Sequence, residues 1–201
     1  PRPGQCRDFA RTVALRKGRQ LILAVSADTK YMLYVNGRLH ARGPQKGDVA
    51  HQYYDVLDLA GAVKPGRNLL LFRVDSYAKS FPYYKFTGPP AGDMSAATLF
   101  VADGAILNAD GSQAERFWTD EQWQVRIDPA LSFEPDPDVR SYVGFKEWID
   151  FRRLPADFYR RPDFDTKAWQ PATVVHAAFT PENVQDAFLP HRLMPRSLAP
   201  L

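Results

Sequence analysis

Cysteine is almost missing from this 201-residue chain. Cys6 stands alone, so no intramolecular disulfide can staple the fold, and with no base beside it in sequence it makes a poor nucleophile. No apolar run approaches the roughly 20 residues that a membrane-spanning helix needs. The expectation is therefore a soluble chain with no membrane partner. Glutamate is scarce too, limited to Glu115, Glu121, Glu134, Glu147 and Glu182. His40, His51, His176 and His191 match no zinc spacing. No Gly-rich phosphate loop is present, and no internal repeat of about 20–50 residues is visible.

Charge of one sign is also lacking, because 26 basic residues face 23 acidic ones for a formal net charge of +3. The densest basic group is Arg152, Arg153, Arg160 and Arg161, set among Phe151, Phe158 and Tyr159. Such a mix can grip phosphate and stack bases. Asp150, Asp157, Asp163 and Asp165 interleave it, however, and are its expected partners, so nucleic acid is not an expected ligand.

What is present is strand chemistry. Tyr31, Leu33 and Val35 alternate with Met32 and Tyr34, the period of a strand with two differently packed faces. Asn36-Gly37 ends that run with residues that tolerate the positive φ of a two-residue hairpin turn, and Arg38-Leu39-His40 can return as its partner. Pro65-Gly66 makes another turn. Behind it Asn68 to Val74 is an apolar run too short for a buried helix, which predicts a buried strand.

Those residues carry a family resemblance. The Tyr31–Val35 strand with its VNG turn, Arg42-Gly43-Pro44, Tyr54-Asp55-Val56, Asp58-Leu59 and the Pro65-Gly66-x-Asn68 turn resemble a non-catalytic β-sandwich near the N-terminus of bacterial α-L-rhamnosidases, glycoside hydrolase family 78. Trp118–Val125, Phe164–Val175 and the terminal LMPRSLAPL are similar to later parts of the same domain, the last resembling a linker between sandwiches. The resemblance implies an all-β, galactose-binding-domain-like jelly-roll fold. It also implies a catalytic (α/α)6-barrel in the same polypeptide, which would supply the acid and base, and a rhamnose-containing plant or bacterial glycan as the possible ligand. A secreted or periplasmic location is favoured over a cytoplasmic one, although export itself is not legible in the sequence.

Along the chain, Phe9–Leu15 and Gln20–Ser26 flank the polar turn 16–19 and predict a first strand pair. Ala97–Val101, Gly104–Asn108 and Ala114–Trp118 read as further strands, with a turn at Ala109-Asp110-Gly111. The sandwich is expected over residues 1–128. From Pro129 onward prolines recur at 135, 137, 155, 162, 171, 181, 190, 195 and 200, and long regular elements become unfavourable. Residues 129–201 are therefore expected to form an extended, mostly irregular Pro-rich layer. It would pack back through Trp148, Phe151, Phe158 and Trp169, with a short helix over Val143–Phe151 and a last strand over Thr173–Ala177.

Glycoside hydrolysis needs two carboxylates facing each other across a sugar, and no such pair is legible here. The expectation is no catalytic residue, no metal and no cofactor. Calcium stays open only through Asp136-Pro137-Asp138, which is also a common turn pattern, and through Asp28, Asn36 and Asp48 in loops; neither has the ligand count the ion wants. Candidate contacts for a carbohydrate or a neighbouring domain are Tyr83, Tyr84 and Phe86 in the Pro-rich segment FPYYKFTGPPAG, and His51, Tyr53 and Arg42 around the Arg-Gly-Pro loop. Aromatic rings in loops on a rigid β scaffold suit either role. Tyr53 and Tyr54 also fit a strand that simply alternates its faces. Four readings follow: an accessory domain that braces a rhamnosidase barrel, an independent carbohydrate-binding module, a sandwich from another glycosidase or a structural surface protein, and an enzyme in its own right.

Overall fold

In the computed structural model the described residues are 5–28, 30–45, 51–76, 99–134, 146–154, 157–174 and 192–198. Twelve strands occur among them. In order they are β1 (Gln5–Leu15), β2 (Gln20–Asp28), β3 (Lys30–Val35), β4 (Arg38–Gly43), β5 (His51–Asp58) and β6 (Gly66–Ser76), then β7 (Leu99–Leu107), β8 (Gln113–Trp118), β9 (Gln124–Glu134), β10 (Lys146–Ile149), β11 (Gln170–Pro171) and β12 (Arg192–Pro195). A single 3-10 turn covers Phe158–Arg160. No helix among these residues is long and apolar enough to cross a membrane.

The strands form two sheets. The larger has the order β10-β9-β1-β6-β3-β4, with β11 also paired to β9, and the smaller has the order β12-β5-β2-β7-β8. Every pairing is antiparallel except β12 on β5. Their inner faces meet in one core: Phe9, Val13, Tyr31, Leu33, Val35, Leu70, Phe72 and Val74 come from the larger sheet, and Leu21, Leu23, Val25, Ala102, Ile106 and Phe117 from the smaller. This is an all-β sandwich. Trp123 closes it, buried against the rings of Phe72, Phe100 and Phe117. Its indole N–H donates to the Trp118 carbonyl at 3.0 Å, the polar partner that a buried tryptophan requires.

The hairpin behaves as its sequence dictates. Tyr31, Leu33 and Val35 are buried while their neighbours are half-exposed, and the turn residues Asn36 and Gly37 have φ of 50° and 79°. β6 is buried on both faces because it lies mid-sheet, with the core on one side and a second apolar cluster on the other. In that second cluster Ala10, Leu69, Leu71 and Ala130 meet Leu154, Phe158, Phe164 and Trp169. Leu154, Phe158, Phe164 and Trp169 thus cover the outer face of the larger sheet.

Several expectations need correction. β1 and β2 are not a pair: β1 joins β6 and β9 while β2 joins β5 and β7, so the turn at 16–19 is a corner between sheets. A polar four-residue turn with Gly serves either purpose. The two short strands expected around residue 104 are one, β7, and Gly104 sits inside it because a Cβ there would lie 1.9 Å from the Ile22 carbonyl oxygen. Lys146–Ile149 is an edge strand rather than a helix, since β9 offers it a main-chain partner. On that edge Trp148 and Phe151 stay 57% and 62% exposed, and of the four aromatics expected to pack back only Phe158 and Trp169 do so. Of the last strand expected over Thr173–Ala177, Thr173 and Val174 are not in a strand and the rest lies outside the described residues; the pairing with β9 just before it is at Gln170–Pro171. Finally, β9 runs without a break past Pro129, where the texture of the sequence changes.

Candidate functional site

Among the described residues a cleft of about 430 Å³ lies where β4, β5 and β12 meet. His40, Arg42, Tyr54, Val56, Asp58 and Leu198 are among the residues that line it. Its floor is a buried polar lock. The Tyr31 hydroxyl donates to Asp55 Oδ2, and Arg196 Nε lies 2.5 Å from Asp55 Oδ1. The Arg196 contact lacks hydrogen-bond alignment, so charge rather than a directed N–H bond holds it. Burial, followed by the Asp55 hydrogen bond, pushes the Tyr31 phenol far above its ordinary range, which keeps it a donor.

Main-chain contacts seat the rest. Arg196 N donates to the Tyr54 carbonyl at 2.9 Å and its Nη2 to the Arg42 carbonyl at 3.3 Å. Gln45 Oε1 accepts from the amides of Ser197 and Leu198 at 3.1 and 3.0 Å. Position 43 must be glycine here: a Cβ would lie 1.9 Å from Asp55 Oδ2 and 2.9 Å from the Tyr31 ring. The Gly43–Pro44 bond is cis.

In the cleft Asp55 is committed to Arg196 and Tyr31, while Asp58 Oδ1 accepts from Ala60 N at 2.9 Å. What remains is a ring, a guanidinium and spare acceptors. Such a set has the chemistry to contact a polar ligand; it does not form the facing acid and base that hydrolysis requires.

No protein-family model matches the chain, and no curated protein matches it. Solved structures do. A family 78 rhamnosidase of Bacillus sp. GL1 superposes with a TM-score of 0.70 at 25% identity, over 98% of this chain and 19% of that one. The α-L-rhamnosidase of Aspergillus terreus gives 0.64 at 17% identity, over 90% and 21%. That of Streptomyces avermitilis, solved with L-rhamnose, gives 0.58 at 20%, over 85% and 16%. The chain is similar to a domain of family 78 α-L-rhamnosidases. It spans about a fifth of their length.

The family 78 resemblance has a physical centre. Arg42, Gly43, Asp55, Pro195 and Arg196, which carry much of it in sequence, converge on the lock beneath the cleft. Of the candidate contacts, Arg42 lines the cleft; Tyr54, which was not among them, lines it as well. Tyr53 is half-buried on β5 with its carbonyl accepting from Ser26 Oγ at 2.8 Å. His51 begins β5 opposite Arg192 of β12. Tyr83, Tyr84 and Phe86 lie outside the described residues, as do Asp48, Asp136 and Asp138. Asn36 is spent inside the fold: its amide donates to Asn68 Oδ1 and the Ala62 carbonyl and accepts from Leu69 N.

Sequence reasoning missed a second buried polar cluster in this rhamnosidase-like sandwich, beneath the covering segment. Arg126 Nε donates to Asp8 Oδ2 at 2.9 Å, and the guanidinium lies 4.1 Å and 4.6 Å from the ring centroids of Phe158 and Trp169. The Tyr159 hydroxyl lies 2.6 Å from Asp128 Oδ2 and 3.0 Å from Asp8 Oδ1. One proton cannot serve both. Burial raises the Asp8 carboxyl to about 6, so once protonated it donates to Tyr159 while Tyr159 donates to Asp128. Cys6, Asp8 and Asp128 place donor atoms within 4.8 Å of one another, but Arg126, Tyr159 and the amides of Ala130 and Leu131 already occupy the carboxylates. Burial drives the Cys6 thiol far upward and leaves it inert. The cluster is structural, and only its spatial neighbours would have announced it.

Proposed function

We propose that this chain is a non-catalytic accessory sandwich of a rhamnosidase-like glycoside hydrolase, which braces a catalytic barrel in the same polypeptide and borders its substrate cleft. The observation that supports bracing most directly is the tie between segment 192–198 and the sandwich. A Pro-containing connection left free would act only as a spacer. Here β12 adds to β5 through main-chain bonds, and Arg196 is held by a buried carboxylate. A segment so fixed sets the direction in which the polypeptide leaves the domain.

The test compares this chain with the whole enzyme that the reading requires. The 201-residue chain alone should hydrolyse no aryl α-L-rhamnoside. In the whole enzyme Arg196→Ala should lower both the melting temperature and kcat/KM, and small-angle scattering should show a wider spread of domain orientations. An unchanged rate and scattering profile would sink the bracing role. The second reading, an independent carbohydrate-binding module, draws on the cleft itself, whose size and mix of Tyr54, Arg42 and Asp58 suit a sugar ring. It requires the isolated chain to bind rhamnose-containing oligosaccharides and to lose them in Arg42→Ala.

A further inference from the structure

The outer face of the smaller sheet differs from that of the larger in being bare among the described residues, and strand register shows what it displays. Val56 on β5 lies opposite Ala24 on β2, Ala24 opposite Asp103 on β7, and Asp103 opposite Trp118 on β8. One step along, Ala105 lies opposite Arg116. These positions alternate with the buried Leu23, Val25, Ala102 and Phe117, so they share the outward face. Ala24 and Ala105, with the half-buried Ile22 opposite Ala105, make the floor between a rim on β5 and a rim on β8. Those strands are three spacings, or roughly 14 Å, apart.

The far rim is organised. Arg116 donates through Nε and Nη2 to both Asp103 oxygens at 3.0 Å each, and its guanidinium stands 5.3 Å from the centroid of the Trp118 ring. Trp118 is 38% exposed and Val56 66%. The pair fixes the ring's position, leaves Nη1 of Arg116 free to donate, and leaves spare lone pairs on Asp103 to accept. Its charges cancel. The geometry points to a saccharide platform on the β7–β8 side of this face, which meets the cleft only at the β5 rim, and which takes a neutral pyranoside with its C–H face on Trp118 and Ala105 and its hydroxyls on Asp103 and Arg116. A uronate would set its carboxylate against Asp103 and is disfavoured. This rests on the reading of the chain as a carbohydrate-contacting domain of a rhamnosidase-like enzyme, and it adds a second site and the class of sugar.

The experiment is a titration of the 201-residue chain with methyl α-L-rhamnoside and a rhamnose-containing oligosaccharide, followed by amide and indole NMR shifts. The expected result is shifts along β7 and β8 and at the Trp118 indole, with affinity at least about tenfold weaker in Trp118→Ala, the loss of one stacking contact. Asp103→Asn and Arg116→Gln, which alter only surface polar groups, should weaken binding with at most a small change in melting, so a Trp118→Ala variant that fails to fold does not blunt the test. Shifts confined to Arg42 and Tyr54, abolished by Arg42→Ala and indifferent to Trp118→Ala, would overturn the platform and leave the carbohydrate reading standing. No shift at roughly 50 mM sugar, where even a Kd near 10 mM would register, would overturn it as well. The accessory role would then be judged by the whole enzyme's response to Arg196→Ala.

Discussion

The two outer faces of the sandwich are built on opposite plans. That of the larger sheet carries Asp8, Asp75 and Asp128, all buried, under a layer of Leu154, Phe158, Tyr159 and Trp169. The smaller sheet presents alanines, Val56 and an exposed Arg116–Asp103 pair. Covered charges must be paired or hydrogen-bonded inside the protein, and on the first face they are: Arg126 holds Asp8, Arg73 with Lys30 holds Asp75, and the Tyr159 hydroxyl with the amides of Ala130 and Leu131 satisfies Asp128. Charges on the second face are paired in water, where pairing is worth little. One face is therefore sensitive to nearly any change in its covering, and the other is free to be altered and free to bind.

Removing the covering should break the comparison most severely. Phe158 is buried against Phe164 and beneath Arg126. Phe158→Ala should cost about 3–5 kcal/mol in denaturant unfolding, the usual range for a buried phenylalanine. Val56→Ala on the bare face should stay within about 0.5 kcal/mol. Equal losses at the two positions would mean that the faces do not differ as described.

Acid sharpens the contrast next. The folded-state carboxyl of Asp8 sits at about 6, above its model-compound value of 3.8. Between those values the native state binds the proton more tightly than the unfolded chain, so this group's contribution is greatest below about pH 4, falls as pH rises, and levels off above about 6. Two pH units correspond to about 2–3 kcal/mol. Asp150, held low at about 2 by Arg152, works in the other direction, but only below about pH 4. Chemical denaturation at intervals from pH 4 to 7 should therefore show a decline for the native chain that Asp8→Asn abolishes, whatever that variant's absolute stability. A flat native profile would show that Asp8 is not buried as described.

How much of this was legible in sequence depends on whether the signal was local. The hairpin at Tyr31–Gly37 was legible because alternation and Asn-Gly turn chemistry act within seven residues. The corner at 16–19 was not, since a polar turn does not state whether its flanking strands meet in one sheet or part into two. Lys146–Ile149 was misread because four residues hold no period, and β9, which makes it a strand, is remote information. Arg42 was picked out through its loop, yet its role emerges only with Asp55 and Arg196, which the fold brings together from distant positions. The Asp8–Arg126–Tyr159 cluster gave no sequence signal at all, because each member alone is an ordinary polar residue.

The smallest effect is the most discriminating. Arg116 and Asp103 form a well-aligned two-bond pair, 45% and 53% exposed, of a kind that double-mutant measurements place at about 0–1 kcal/mol. Arg116→Ala should therefore change unfolding stability by less than about 1 kcal/mol and lose part of that small change in molar salt, since exposed pairs are screened. A loss several times larger would show that the pair is part of the fold's support and that the smaller sheet, like the larger, depends on its outer face. A negligible loss would leave Arg116, Asp103 and the Trp118 they position without a stabilising task, and it is in such a place that a binding role can be read from variants without confusion with unfolding.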